Sequence, residues 1–412
     1  MKSWIFGVGF GLGLVLATPV MADELLIRGA TVHPGDGTAA LAATDVHVRD
    51  GRIVAVGKGL AVGSARLVEA QGRPLTPGLF GGLTALGLEE VSLEASTVDN
   101  AMGGNEPDPA AVWRPEFDVS LAFNPASSVI PVNRVEGVTF AAIAPTVAAG
   151  GSFVAGQGAL ISLSGRLDSI LRDTRSLYIE LGSSVAPQAG GSRAAQFMML
   201  DQAIDDAQLA DDEERELLTR AGKKVLAGYL QGGRVLFKVD RGADIVAVLK
   251  LSRRVGFRPI IVGGADAWRV AEQLAEAKVP VVIDPLANLP ASFDQLGARL
   301  DNAAILLKAG VDVAFTQFGD ATHNGRKIRQ LAGNAWANGL THEQALRAIT
   351  ATPARVFGAA DRGRIAAGQR ADLVLWTGDP LELDSWAEQV WIDGEAQSMR
   401  SRQTELRDRY LQ

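Results

Sequence analysis

The stretch 234-RVLFKVDRGADIVAVLKLSRRVGFRPIIVGG-264 decides the fold. It begins with VLFKV and ends with PIIV, two short runs rich in β-branched and aromatic residues. The segment between them has apolar residues at helical spacing and no proline. Strand, helix-length crossover, strand is the pattern of a parallel βαβ unit, because parallel neighbours cannot be joined by a tight turn. The pattern repeats at 279-VPVVIDP-285 and 311-VDVAFTQFG-319, with helical stretches predicted over 242–256, 265–278, 293–310 and 325–338. Apolar residues fill both faces of these strands, so both faces need cover.

Upstream, LFGGLTAL (79–86), GVTFAAIAP (137–145), GALISL (158–163) and SLYIELG (176–182) bring the strand count to eight. Eight strands in an α/β chain favour a closed (β/α)8 TIM-like barrel over an open sheet. Residues 92–135 fit this alternation poorly. They are polar and rich in Pro, Gly and Asn, and they follow the first barrel strand. A long loop there would lie over the C-terminal face, where barrel active sites sit. Residues 196–230 read as one long helix with 211-DDEERE-216 on a solvated face. Thr341 and Gln344 read as a capping box for a helix over 342–350.

The two ends have another style. LLIRGATV leads to the turn 33-HPGDGT-38, and DVHVRDGRIVAVG alternates on either side of Asp50-Gly51, a hairpin signal. GRIAAGQRADLVLWTGDP and VWIDGE repeat the style within 363–394. The economical reading is a small β-sandwich domain built from both termini, 23–75 with 360–412, around a barrel over 76–359. Residues 1–22 read as a signal peptide. Lys2 supplies the positive charge, Ile5 to Leu16 the apolar core, and Val20-Met21-Ala22 a small-x-small cleavage site. This predicts a periplasmic or secreted protein with no stable membrane insertion after cleavage.

The chain has 412 residues, 47% of them apolar and 21% charged, enough to bury a sizeable core. A net charge of −7 without a Lys/Arg-rich run argues against a nucleic-acid partner. With no cysteine, a thiol nucleophile, a Cys-ligated zinc and a lipid-anchored cysteine are all excluded.

The stretches 51-GRIVAVG-57 leading to 76-TPGLF-80, 302-NAAILLKAGVDVAF-315, and 345-ALRAITATPARVFGAADRGRIAAGQRADLVLWTGDPLEL-383 followed by 392-IDG-394 carry a family likeness. They resemble the amidohydrolase superfamily, nearest its imidazolonepropionase-like branch. The resemblance covers essentially the whole chain after residue 22. It implies metal-assisted hydrolysis of non-peptide, mostly cyclic, amide-like C–N bonds, with imidazole and carboxylate ligands at the ends of strands 1, 5, 6 and 8. The family pattern on strand 1 is PGL-x-D-x-H-x-H. This chain departs from it: Leu83 and Ala85 stand where the two histidines would be, and Gly81 where the Asp would be. Lys238 falls near the strand-5 position, Val262 or Gly263 near the strand-6 position, and Asp320 near the strand-8 position.

The four histidines form no HxH or HExxH pair, which argues against a His-rich zinc site. His33, His47 and His342 read as structural. His323 follows Asp320 on the face where a site would lie. The candidate catalytic residues are therefore Asp320, Lys238, Asp240 and His323. Asp240, Asp284, Asp320 and Glu180 could also converge on an oxygen-only site for Mg²⁺, Ca²⁺ or Mn²⁺, with helix caps and loop hydrogen bonds the plainer reading of each. No metal ligand is assigned and no cofactor is expected. Lys238 at the mouth needs a counter-charge, for which Asp240 or Asp320 is expected.

Two functions follow. One is an exported hydrolase acting on cyclic amide-like C–N bonds with a degenerate metal site. The other is a non-catalytic relative that keeps the barrel mouth as a small-molecule or scaffolding site. Self-association into a homo-oligomer is compatible with either.

Overall fold

The computed structural model describes residues 24–63, 65–102, 113–147, 151–208, 217–319 and 321–411. Strands β1 (Glu24–Val32), β2 (Leu41–Arg49), β3 (Arg52–Gly57), β4 (Arg66–Glu69) and β5 (Pro74–Pro77) occupy the N-terminal part. Asp50 and Gly51 turn the β2–β3 hairpin, with φ +50° and +74°, the left-handed pair that a two-residue type I′ turn requires.

Eight strands follow: β6 (Leu79–Thr84), β7 (Val138–Ile143), β8 (Val154–Ser162), β9 (Ser176–Glu180), β10 (Arg234–Val239), β11 (Arg258–Gly263), β12 (Val281–Ile283) and β13 (Val313–Phe315). They pair in sequence order into one sheet. The edges meet where the backbone N–H of Leu83 donates to Thr316 Oγ1 at 2.9 Å, leaving a nearly closed barrel. Gly82, at φ +83°, permits that approach, since a Cβ there would stand 2.8 Å from the Thr316 hydroxyl. All eight expected strands are present, but β8 runs antiparallel to both β7 and β9. The barrel is therefore not eight successive parallel βα units. A strand buried on both faces has the same composition in either direction, so composition could not have shown this.

The described α-helices are α1 (Val129–Arg134), α2 (Arg193–Gln208), α3 (Arg220–Leu230), α4 (Gly242–Val255), α5 (Ala271–Glu276), α6 (Asn302–Lys308), α7 (Ala321–Asn324), α8 (Ile328–Ala337), α9 (His342–Ala348), α10 (Ala351–Val356) and the C-terminal α11 (Arg402–Tyr410). The expected long helix over 196–230 is instead α2 and α3, and its DDEERE run lies outside the described residues. The Thr341–Gln344 capping box is formed and starts α9.

Alternate strand residues point to two different cores. Phe80, Phe140, Leu160, Leu236 and Ile260 fill the barrel, where Phe357, just past α10, comes 5.5 Å from Phe80. Leu79, Ala141, Phe237 and Ile261 face outward onto Ile245, Leu274 and Leu306 of the helices. Finally β14 (Leu373–Trp376), β15 (Ala387–Ile392) and β16 (Glu395–Ala396) return to pair with β5. The sheet order is β16-β15-β14-β5-β1-β2-β3, with β4 also on β1. Strands from both ends of the chain thus share one hydrogen-bonded sheet of eight, rather than the two separate sheets expected of a sandwich. The buried Arg362–Asp372 pair, 2.8 Å apart, sits beside β14.

Candidate functional site at the barrel mouth

The C-terminal ends of the barrel strands open into a cavity of about 700 Å³. Leu83 and Ala85 face it from the end of β6 and just beyond, and Val262 from β11. Strand 1 thus turns an aliphatic wall to the cavity, as its sequence implies. Tyr178 and Leu236 line the cavity more deeply, and burial pushes the Tyr178 hydroxyl well up from its ordinary pKa.

Charged residues reach this wall from β9 and β10, as Glu180 and Lys238, and from Glu89 beyond β6. Glu180 and Lys238 are paired residues in the parallel β9–β10 register. The Lys238 ammonium donates to Glu180 Oε1 at 3.1 Å, and the Ser184 hydroxyl donates to the same oxygen at 2.9 Å. Behind them, Asp294 accepts from the backbone N–H and the hydroxyl of Ser183, at 2.7 and 2.8 Å, and pairs with Arg193. Burial pushes the Asp294 carboxyl up, but these donors outweigh it and hold the group below its usual range. The β9 end is thereby tied to the loop before α6. On the strand-8 side, Gln317 lines the cavity, and its enclosed Oε1 has no hydrogen-bond partner among the described residues.

The expected site residues separate. The expected counter-charge of Lys238, Asp240, is turned away and accepts from Gln295 Nε2 at 2.9 Å and from the Ala265 N–H at 3.1 Å. Burial pushes its carboxyl up, against the pull of those two donors. Asp284 accepts from the Leu286 N–H at 2.9 Å and is likewise pushed up by burial. His323 is exposed on α7, and its neighbour Thr322, not His323 itself, lines the cavity. Asp320 lies outside the described residues. Lys238 is half-exposed rather than enclosed. Ser184 and Gln317 were assigned to no site by the sequence, and Glu180 was considered only for an oxygen-only cation site, not as the partner of Lys238. One signal was available: Glu180 and Lys238 are the single charges interrupting SLYIE and VLFKV.

A catalytic divalent ion needs several convergent oxygen or nitrogen donors. Among the described residues no group of three or more His, Cys, Asp or Glu converges to hold one. At the mouth, Leu83, Ala85 and Val262 offer no donor atoms, and the strand-5 position carries an ammonium. The described residues do not fit the ion that the resemblance implies.

A family model described as amidohydrolase family matches residues 318–396, from the mouth wall through β14 and β15. Imidazolonepropionases of Anaeromyxobacter sp. (strain K) and Anaeromyxobacter dehalogenans (strain 2CP-1) are 32% and 31% identical over 207 and 214 residues. Those alignments cover 50% and 51% of this chain, which spans about half the length of the curated relatives it matches, 46% and 48%. The crystal structure of an amidohydrolase from Thermotoga maritima superposes with a TM-score of 0.78 at 26% identity, covering 91% of this chain and 100% of that one. The chain belongs to the amidohydrolase superfamily. Among the described residues no helix is long and apolar enough to cross a membrane.

Proposed function

We propose that the barrel mouth recognises a small, cyclic, amide-bearing molecule through the Glu180–Lys238 pair, without a metal. The observation that carries this reading is that pair, set in an aliphatic wall opposite the unpartnered Gln317 Oε1. An amide is complementary to both sides. Its carbonyl oxygen accepts from the Lys238 ammonium, and its N–H donates to Gln317. Enclosed polar atoms that lack a partner favour ligands that supply one. The cavity volume suits a single ring with substituents.

A second reading is hydrolysis of that molecule's C–N bond, the activity class suggested by the imidazolonepropionase relatives. Glu180 takes a proton from water as its oxygen adds to the amide carbon. Lys238 stabilises the resulting oxyanion. Collapse breaks the C–N bond, and the proton returns to the leaving nitrogen. Asp320, next along the chain from the wall residues Gln317 to Gly319, is tested alongside.

The experiment is equilibrium binding of five- and six-membered lactams and cyclic ureas to the chain from Asp23 onward, with metal analysis and assay of ring opening. Saturable binding that is lost in Lys238→Met, without turnover, supports recognition alone. Turnover lost in Lys238→Met or Asp320→Asn supports the hydrolase. Binding or turnover that follows bound metal and ignores Lys238 overturns both. We also propose export of the chain by its first 22 residues, on the charge and cleavage pattern there. Amino-terminal sequencing of the cell-envelope or secreted fraction, with Asp23 expected first, tests this.

A further inference from the structure

The opposite end of the barrel carries a second concavity, a cleft of about 480 Å³. Arg234 begins β10, Arg258 begins β11, Lys278 precedes β12 and Asp312 precedes β13, while Arg253 and Arg355 come from α4 and α10. Five cations therefore surround one carboxylate, in a chain whose net charge is −7. The carboxylate is already engaged: Arg355 Nη2 stands 2.7 Å and Arg347 Nη2 3.6 Å from Asp312 Oδ1. Among the described residues Arg234, Arg253, Arg258 and Lys278 have no carboxylate partner.

Ordinary structural roles account for only part of this. Arg253 lies in the last turn of α4, where a cation complements the helix C-terminus. Arg234 and Arg258 are on strands, and Lys278 holds φ +53°, a conformation that lysine enters at a cost. The Arg234 guanidinium donates through Nη2 to the carbonyl oxygens of Asp173 and Arg175, and its enclosed Nε has no partner. Burial lowers the pKa of this group, and the nearby Arg258 lowers it further. Like charges held this way are relieved by an anion.

We propose that this cleft binds a phosphate-bearing ligand, with Arg253, Arg258 and Lys278 supplying contacts and Arg234 standing charge at its wall. A phosphate offers several acceptor oxygens and a double charge, which suits converging guanidinium and ammonium donors. The cleft is separate from the mouth, since a six-residue strand spans roughly 20 Å.

The test is calorimetric titration of the chain from Asp23 onward with inorganic phosphate and pyrophosphate at low ionic strength. Saturable binding is expected, weakened about tenfold or more in the double variant Arg253→Gln/Lys278→Gln. Both residues are exposed, so the fold is kept, and circular dichroism checks this. Lys238→Met at the mouth leaves phosphate affinity unchanged, which separates this site from the one above. Sedimentation with phosphatidic acid and phosphatidylcholine vesicles distinguishes the source. Phosphatidic-acid-specific pelleting displaced by free phosphate indicates a headgroup, and phosphate binding without pelleting indicates a soluble ester. Absence of saturation, or equal affinity in the double variant, overturns the proposal.

Discussion

Lys238 and Glu180 face each other across adjacent parallel strands, with the ammonium 3.1 Å from Oε1 and the Ser184 hydroxyl on the same oxygen. Lys238 is half-exposed, so the pair adds little to stability, about 0.2–1 kcal/mol after solvent screening. Its weight falls on ligand binding, where a hydrogen bond from a charged donor contributes about 1.5–3 kcal/mol. Lys238→Met should therefore shift the urea midpoint only slightly while weakening lactam binding tenfold or more. A large stability loss with unchanged binding would show the pair to be purely structural.

How far the site was legible follows from what fixes these two residues. The eight barrel strands were readable because both their faces are buried, as in 138-VTFAAI-143, where all six residues are enclosed. The reversed direction of β8 left no comparable mark. Lys238 could be placed at the mouth because the resemblance puts it near the strand-5 ligand position. Its partner could not, because Glu180 lies 58 residues away and the pairing depends on the β9–β10 register. Asp240 seemed suitable at two residues' distance, yet its hydrogen bonds to Gln295 and Ala265 turn it elsewhere. The aliphatic strand-1 wall was legible because Leu83 and Ala85 follow Pro77-Gly78 without a gap in the pattern.

The donor set at the mouth predicts the response to chelation. An ion that bound only the folded state at a hundredfold its Kd would contribute about 2.7 kcal/mol. Dialysis of the purified chain against EDTA is expected to leave its melting temperature unchanged. Elemental analysis is expected to find no stoichiometric zinc or manganese. A stoichiometric ion whose removal lowers the melting temperature would overturn the metal-free reading.

His342 and Asp379 give stability a pH window. His342 Nε2 lies 2.9 Å from Asp379 Oδ1, and that bond raises the imidazole pKa against the effect of burial. Glu343 and Glu382 add to the rise. The Asp379 carboxyl is pushed up by burial but carried below its usual value by His342, the Leu381 N–H and His33. The His342 contribution is therefore full below about pH 6.5 and fades as pH rises through the raised value. The Asp379 contribution is present above about pH 4 and fades as pH falls through the lowered value. His33, whose ring centre is 5.3 Å from that of His342, opposes at the acid side, because burial and His342 lower its pKa. Melting curves from pH 5 to 8 should show His342→Gln least stable relative to the parent near pH 6. The gap should be under about 1 kcal/mol and narrow toward pH 8. A gap that widens with pH would reverse the assignment.

Two glycines with opposite surroundings test the packing of the barrel itself. Gly158 lies on the antiparallel β8, and a Cβ there would come 2.0 Å from the Ile143 carbonyl oxygen and 2.9 Å from the Tyr178 ring. The carbonyl belongs to the β7 backbone and cannot rotate aside, so Gly158→Ala must spread β7 from β8 or shift Tyr178 at the cavity. Overpacking of this kind costs about 3 kcal/mol. At Gly228, inside α3, an added Cβ would meet nothing within 4 Å. There alanine should stabilise by about 0.5–1 kcal/mol, since it restricts the unfolded chain and favours the helix. Urea midpoints of the two variants should move in opposite directions. Because Tyr178 lines the mouth, Gly158→Ala should also weaken lactam binding, whereas Gly228→Ala should leave it intact. A tolerated alanine at 158 would mean that β7 and β8 are not packed closely at this contact.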